Sequence, residues 1–277
     1  MNNKPDWVDE GWIVLKHARF IAEGCEQTGT VEEAIVKAAS GKEYPLAEID
    51  VWLPPIRPGK IIGLALNYAD HAEELGLDKP PEPVLFIKPN SSIIGHKASI
   101  VYPEGATYMH YENELAVVIG RQARLVQAAD AYDVVSGYTI ANDVTVRDFV
   151  NNYYRPPVRA KGHDTFGPMG PYIVDKADIP DVENLNLRTY VNDELKQQGN
   201  TKDLIYTIPE LIRFISAFMT LEPGDVILTG TPKGISHVYP GDVTRLEIDR
   251  LGALENTIVD GRKTKEIKEE LTGGRNP

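Results

Sequence analysis

At 277 residues with 42% hydrophobic content, the chain can bury a sizeable core as one large domain or a domain with a small appendage. A formal net charge of −12 argues against nucleic acid, and no apolar run approaches the length of a membrane span. The start, Met1-Asn2-Asn3-Lys4-Pro5-Asp6, lacks the basic-then-apolar pattern of a secretory leader, so the expectation is a cytoplasmic protein with neither nucleic-acid nor membrane partners.

Residues 1–57 read as a small N-terminal region. Cys25, the single cysteine, cannot form an internal disulfide and is expected as a small buried apolar residue. Thr30-Val31-Glu32-Glu33 has a capping-box pattern, and Ala34, Ile35, Ala38 and Ala39 predict a helical stripe stopped by Gly41. Proline-rich Leu53-Pro54-Pro55-Ile56-Arg57-Pro58-Gly59 marks a linker. A boundary there separates 1–57 from a larger unit, 58–277.

Lys60–Leu66 reads as a buried strand, and Asn67–Gly76 as a polar turn entering a short helix. On that helix His71 and Glu74, three apart, are neighbours, so the carboxylate can orient the imidazole as a general base. A surface pair without a role has the same spacing. Val84–Pro89 is an apolar strand whose Lys88 can face an acidic cluster or simply snorkel. His110-Tyr111-Glu112-Asn113-Glu114 then runs into the apolar Leu115–Ile119. In a strand, Glu112 and Glu114 share a face, and two desolvated carboxylates need a proton or cation to offset them. A divalent cation with hard oxygen ligands meets that need, with Asp143 as the third carboxylate; a solvated edge strand is the other reading.

Ala128, Ala131, Tyr132 and Val135 predict a helix stopped by Gly137, followed by a strand, Tyr138–Ala141, that delivers Asp143. Arg147, Arg155, Arg159 and Lys161, interleaved with Phe149, Tyr153 and Tyr154, concentrate positive charge in an acidic chain and suit an anion-binding lid. Further on, Leu187–Glu194 suggests a hairpin. Thr207, Glu210, Leu211, Ile212, Ile215, Phe218 and Met219 predict a capped amphipathic helix. Pro-Gly-Asp turns at Pro223 and Pro240 each precede an alternating strand. In Gly230-Thr231-Pro232-Lys233-Gly234 the backbone amides and the Thr231 hydroxyl can hold a carboxylate. Residues 260–277 are expected to fray.

Taken together, Ile61-Ile62-Gly63-Leu64 leading to Asn67-Tyr68 and His71, Phe86-Ile87-Lys88-Pro89, Glu112 with Glu114, Asn142-Asp143 with Arg147-Asp148, Lys161 and Gly230-Thr231-Pro232 resemble the fumarylacetoacetate hydrolase family over residues 58 to about 260. Asn151-Asn152-Tyr153-Tyr154-Arg155-Pro156-Pro157 with Arg159 and Lys161 is most similar to its isomerase/decarboxylase members. The resemblance implies a mixed α+β fold with a β-rich, roll- or barrel-like core and peripheral helices. It further implies Mg²⁺ or Mn²⁺, with Ca²⁺ as a substitute, on Glu112, Glu114 and Asp143, and a homodimer. The implied activity is isomerisation or decarboxylation of small anionic 2-oxo or 2-hydroxy-dienoic di- and tricarboxylates in 4-hydroxyphenylacetate and homoprotocatechuate catabolism. The implied catalytic residues are His71, Glu74 and Lys161, with Asn67, Tyr68, Lys88, Arg147, Arg155, Arg159 and Thr231 binding substrate. Acylpyruvate hydrolysis, oxaloacetate decarboxylation and non-catalytic binding of small acids are the alternatives. Val150 stands where hydrolase members commonly carry glutamine.

Overall fold

The computed structural model describes residues 14–150 and 156–261. The N-terminal region supplies five strands: β1 (Lys16–Ala22), β2 (Cys25–Glu32), β3 (Ile35–Ala38), β4 (Glu43–Pro45) and β5 (Val51–Leu53). The helix expected across Thr30–Gly41 is instead the β2–β3 hairpin, paired from Glu32↔Ile35 to Gly29↔Ala38. Ala38 fits either period, whereas Val31 and Val36 share a face only as paired strand residues. The alternating one prevails because β1 offers β2 a seven-pair ladder and the three side chains meet Phe20 and Tyr44 in a small core. Cys25 opens β2 and is exposed, contrary to the expectation of a buried thiol.

The rest of the chain supplies β6 (Ile61–Ala65), α1 (Ala69–Glu74), β7 (Val84–Lys88), β8 (Ile93–Ile94), β9 (Ser99–Tyr102), β10 (Met109–His110) and β11 (Asn113–Ile119). After these come β12 (Val135–Asn142), β13 (Thr145–Val146), α2 (Val158–Lys161), β14 (Gly167–Asp175), β15 (Asn186–Val191) and β16 (Glu194–Asn200). The last elements are α3 (Ile208–Phe218), β17 (Val226–Leu228), β18 (Val243–Ile248) and β19 (Gly252–Asp260). A twelve-stranded mixed sheet runs β4-β3-β2-β1-β14-β12-β11-β17-β6-β7, with β5 on β1 and β8 on β14. A five-stranded sheet runs β16-β15-β18-β19-β9, and β10 pairs with β13. The expected β-rich core with outlying helices is present, but the large sheet ends at β4 and β7 and does not close into a barrel.

The main core lies between the two sheets: Leu115, Val117 and Ile140 of the large one face Leu187, Leu246 and Leu254 of the other. Helix α3 lays Ile208, Leu211, Ile212 and Ile215 on this core, and Thr207 and Glu210 form the predicted capping box. The hairpin expected over 187–194 is β15–β16, turned by Asn192 and Asp193, both at positive φ. The turns at Pro223 and Pro240 lead into β17, buried throughout, and the alternating β18. The helix expected over 128–137 is a 3₁₀ run, Ala128–Val134, and Gly137 lies inside β12. Its apolar residues serve a strand there because β11 and β14 flank β12 on both sides. No helix among the described residues is long and apolar enough to cross a membrane.

Candidate active site

Strand β11 is buried on both faces, and its register with β12 pairs Asn113 with Asn142 and Glu114 with Ala141. One step outward, Glu112 stands opposite Asp143, held there by Asp143 N–H donating to the Glu112 carbonyl (2.9 Å) and Glu112 N–H to Asn142 Oδ1 (3.0 Å). Cross-strand pairing and the two-residue period therefore bring Glu112, Glu114 and Asp143 together, with one carboxylate oxygen from each lying within 4.8 Å of the others. Two unit charges that far apart repel by about 3 kcal/mol at an effective dielectric near 20.

Two lysines oppose that repulsion. Lys88, fully buried at the end of β7, donates to Asp143 Oδ1 (2.6 Å) and to the Lys161 carbonyl (2.5 Å). Lys161, at the end of α2, donates to Glu112 Oε2 (2.8 Å), Asp143 Oδ2 (2.5 Å) and Thr145 Oγ1 (2.8 Å). Burial alone raises the Glu112 carboxyl, but Lys161, His110 and His71 outweigh it and bring it to about 2. Burial likewise disfavours the Lys161 ammonium, yet Asp143, Glu112 and Glu114 raise it above the ordinary lysine value. Burial lowers Lys88 against the pull of Asp143.

Glu114 is the uncompensated member. Its Oε2 accepts from Gly230 N–H (2.7 Å), but its Oε1 is buried without a hydrogen-bond partner among the described residues. Burial and the charges of Asp143 and Glu112 push its carboxyl well above the usual range. Ionised together, three carboxylates against two ammonium groups would leave one negative charge, the charge that raises Glu114, and all three offer hard oxygen donors. A divalent cation fits that residual charge and that orphaned oxygen.

His71 is buried on α1, and its Nδ1 lies 2.9 Å from Glu74 Oε2. The other Glu74 oxygen accepts from Gly234 N–H (2.9 Å). The Gly230–Gly234 amides thus do hold carboxylates, but those of Glu114 and Glu74 within the chain. Gly230 is at φ +93°, and a Cβ there would stand 2.9 Å from the Asn67 Cβ, so glycine is required. Asn67 is used by backbone: Nδ2 donates to the Tyr206 and Thr229 carbonyls, and Oδ1 accepts from Tyr206 N–H. The Tyr68 hydroxyl is buried without a partner among the described residues, and burial with the charges of Glu114, Asp203 and Asp70 keeps it protonated. Thr231 Oγ1 accepts from Gln197 Nε2 (2.8 Å).

The four cationic residues of the expected lid part company. Lys161 belongs to the carboxylate cluster, and Arg159, exposed on α2, stacks its guanidinium 3.8 Å from the Phe149 ring centroid. Arg147 is half-buried, its backbone N–H on the Tyr108 carbonyl and its charge felt at His110. Arg155, with Tyr153 and Tyr154, lies outside the described residues. Sequence reasoning assigned nothing to His110, whose Nδ1 is 3.6 Å from Glu112 Oε1, or to Thr145, whose Oγ1 lies 3.2 Å from the same oxygen. His110 stands two residues from Glu112 and would share its strand face, a signal legible in the sequence. Thr145 is brought in only by the turn after Asp143.

Residues 60–259 match the model of the fumarylacetoacetate (FAA) hydrolase C-terminal family. The chain belongs to that family. A 4-hydroxyphenylacetate degradation bifunctional isomerase/decarboxylase of Salmonella dublin is 53% identical to this fumarylacetoacetate hydrolase family chain over 217 residues, 78% of the chain and 50% of the relative. The chain spans about half the length of the curated relatives it matches first. The crystal structure of a 5-carboxymethyl-2-hydroxymuconate delta-isomerase from Mycobacterium smegmatis superposes with a TM-score of 0.80 at 40% identity, covering 88% of this chain and 98% of that one. A maleylpyruvate hydrolase from Sphingobium sp. SYK-6, solved in complex with manganese(II) and pyruvate, superposes at 0.77 with 31% identity, covering 89% and 99%.

Proposed function

We propose that the chain is a divalent-metal-dependent isomerase/decarboxylase acting on small 2-oxo or 2-hydroxy-dienoic di- and tricarboxylates of 4-hydroxyphenylacetate and homoprotocatechuate catabolism. The convergence of Glu112, Glu114 and Asp143 at the mouth of β11 and β12 carries this reading. The likeness to the Salmonella isomerase/decarboxylase and the mycobacterial isomerase supports it. Those three carboxylates would hold Mg²⁺ or Mn²⁺, with Ca²⁺ as a substitute, and the cation would supply Lewis acidity toward the oxo and carboxylate oxygens of a 2-oxo acid.

The remaining steps belong to side chains. Glu74 holds His71 through Nδ1, which leaves Nε2 to take a proton from one substrate carbon and return it to another during isomerisation. The protonated Tyr68 hydroxyl, and Lys161 once it exchanges one of its three contacts for substrate, would donate to substrate oxygens as negative charge develops there. Lys88, whose ammonium donates to Asp143 and the Lys161 carbonyl, would orient both beside the substrate. Asn67 similarly shapes the wall. Thr231 would contact a substrate carboxylate, and Arg147 and Arg159, together with Arg155, the remote one.

Likeness to the maleylpyruvate hydrolase favours a second reading, hydrolysis of an acylpyruvate by the same groups, with decarboxylation of oxaloacetate as a related alternative. Assay of the purified protein on 2-hydroxyhepta-2,4-diene-1,7-dioate, 5-oxopent-3-ene-1,2,5-tricarboxylate, acylpyruvates and oxaloacetate, with and without chelator, separates the two. Chelator-sensitive turnover of either of the first two is expected. Turnover of only the latter pair favours the second reading, and no turnover with any of them reduces the site to one that binds small acids. We also propose a homodimer, which sedimentation tests, and a division at 57/58 into an N-terminal region and a catalytic unit.

A further inference from the structure

Strand β16 sends one polar side chain inward beneath the Gly230–Gly234 loop. The β15–β16 register slips between Thr189↔Gln197 and Tyr190↔Leu195, so Lys196 is the extra residue of a bulge. Leu195 and Lys196 stay at the surface while Gln197 is 1% exposed. The loop packs directly on it. A Cβ at Gly199 would stand 2.5 Å from Pro232, and one at Gly234 would stand 2.8 Å from the Lys196 carbonyl oxygen.

Every polar atom of the Gln197 amide is engaged. Its Nε2 donates to Thr231 Oγ1 (2.8 Å) and to the Pro232 carbonyl (2.7 Å), and its Oε1 accepts from Thr189 Oγ1 (2.9 Å). A carbonyl can only accept, so the atom facing Pro232 must be the nitrogen, and the amide has one chemically possible orientation. Thr231 Oγ1 consequently accepts a hydrogen bond from Gln197. Its own O–H donates to no acceptor among the described residues, although Thr231 is only 3% exposed. The residue before it, Gly230, is hydrogen-bonded to Glu114, which sets Thr231 at the edge of the carboxylate cluster.

We propose that Gln197 is a positioning residue: it fills the acceptor side of the Thr231 hydroxyl and so fixes that hydroxyl as a donor aimed at a substrate carboxylate, with Thr189 locking the amide. The assignment rests on the reading of Thr231 as a carboxylate contact. Without Gln197, the Pro232 carbonyl loses its donor and the Thr231 hydroxyl loses the hydrogen bond that fills its acceptor side, so the hydroxyl is free to rotate and present lone pairs to the substrate.

The test uses oxalate binding measured by calorimetry at saturating Mg²⁺, beside KM and kcat on the preferred substrate, for Gln197→Met, Thr231→Val, Thr231→Ser and the Gln197→Met/Thr231→Val pair. Thr231→Val is expected to weaken oxalate about 10-fold or more, and Gln197→Met about 5- to 10-fold, chiefly through KM with kcat changing less. The double variant should resemble Thr231→Val alone, because Gln197 acts through that hydroxyl. Thr231→Ser, which keeps the hydroxyl, should bind nearly as the parent does. A loss in Thr231→Val with unchanged binding in Gln197→Met, or with additive losses in the pair, overturns the role of Gln197 and leaves the proposed function standing. Unchanged binding in Thr231→Val overturns the carboxylate contact and this inference with it. Should Gln197→Met fail to fold, Thr189→Val frees the amide without deleting it, and a 2- to 5-fold weaker affinity is expected; unchanged affinity counts against the inference.

Discussion

Glu114 is the residue on which the charge balance of the site turns. Lysines answer Glu112 and Asp143 directly, whereas Glu114 has one backbone N–H and an orphaned oxygen. Glu114→Ala is therefore expected to abolish Mg²⁺ and Mn²⁺ binding by calorimetry while leaving the metal-free protein folded with an unchanged or higher Tm, since a buried carboxyl with an unpartnered oxygen, disfavoured as an anion there, is removed. Undiminished metal affinity would return the triad to a structural role. His71→Ala is expected to lower turnover by about 10²- to 10⁴-fold with metal affinity retained, and Glu74→Gln to act in the same direction more weakly, because it orients rather than transfers. Near-normal turnover of His71→Ala would make the pair a structural contact and nothing more. At this scale the pairs Glu112/Glu114 and His71/Glu74 were legible, because each rests on a spacing within one element. The roles of Lys88 and Lys161 were not, because a lysine at the end of an element has a long reach and only its neighbours decide where the ammonium goes.

Among the elements, those with one consistent signal were readable and those compatible with two periods were not. Helix α3 carries an apolar stripe, a proline in its first turn and a capping box, all pointing the same way. Glu210 Oε2 accepts from both the N–H and the hydroxyl of Thr207, and the backbone bond first, then the hydroxyl, lowers its carboxyl. Glu210→Ala should cost about 1 kcal/mol in chemical denaturation at pH 7. The sign follows from the depressed value: this stability is complete above the ordinary carboxylate range and fades as pH falls through the lowered one, so the two proteins should converge in acid. A constant gap at all pH values would show that the charge of Glu210 is not involved. Residues 30–41 and 128–137 went to strands or 3₁₀ turn because neighbouring strands offered ladders, which outweigh a propensity difference of tenths of a kcal/mol per residue.

Over the whole molecule, the segment around His96 ties the N-terminal strands to the second sheet. Its ring packs edge-on against Trp52 of β5 at 5.9 Å, and its Nδ1 accepts from Glu255 N–H of β19 at 3.0 Å. Next to it the Gly95 carbonyl accepts from Asn256 Nδ2. Burial, joined by the Lys97 charge and opposed by Glu255, lowers the His96 imidazole to about 4. Since the unfolded chain then binds the extra proton first, stability is full above the ordinary imidazole value near 6.5 and declines as pH falls toward 4. His96→Gln, which keeps an acceptor for Glu255 but does not titrate, should flatten that decline by up to about 3 kcal/mol between pH 7 and 4. Parallel denaturation profiles for the two proteins would remove His96 as a pH-dependent clip.

What the chain determined by itself was local and periodic: the two-residue spacing of Glu112 and Glu114, the three-residue spacing of His71 and Glu74, the capped stripe of α3, and the ordered motifs that mark the family. Those signals survive because the forces behind them act within a few residues. Tertiary structure alone decided that Asp143 stands opposite Glu112, that Lys161 joins the carboxylates while Arg159 lies on Phe149, and that the amides of Gly230 and Gly234 hold the chain's own Glu114 and Glu74. Strand register, charge compensation in a buried site and the close approach of a glycine loop join residues far apart in the chain, and no spacing along the sequence encodes the distance at which they meet.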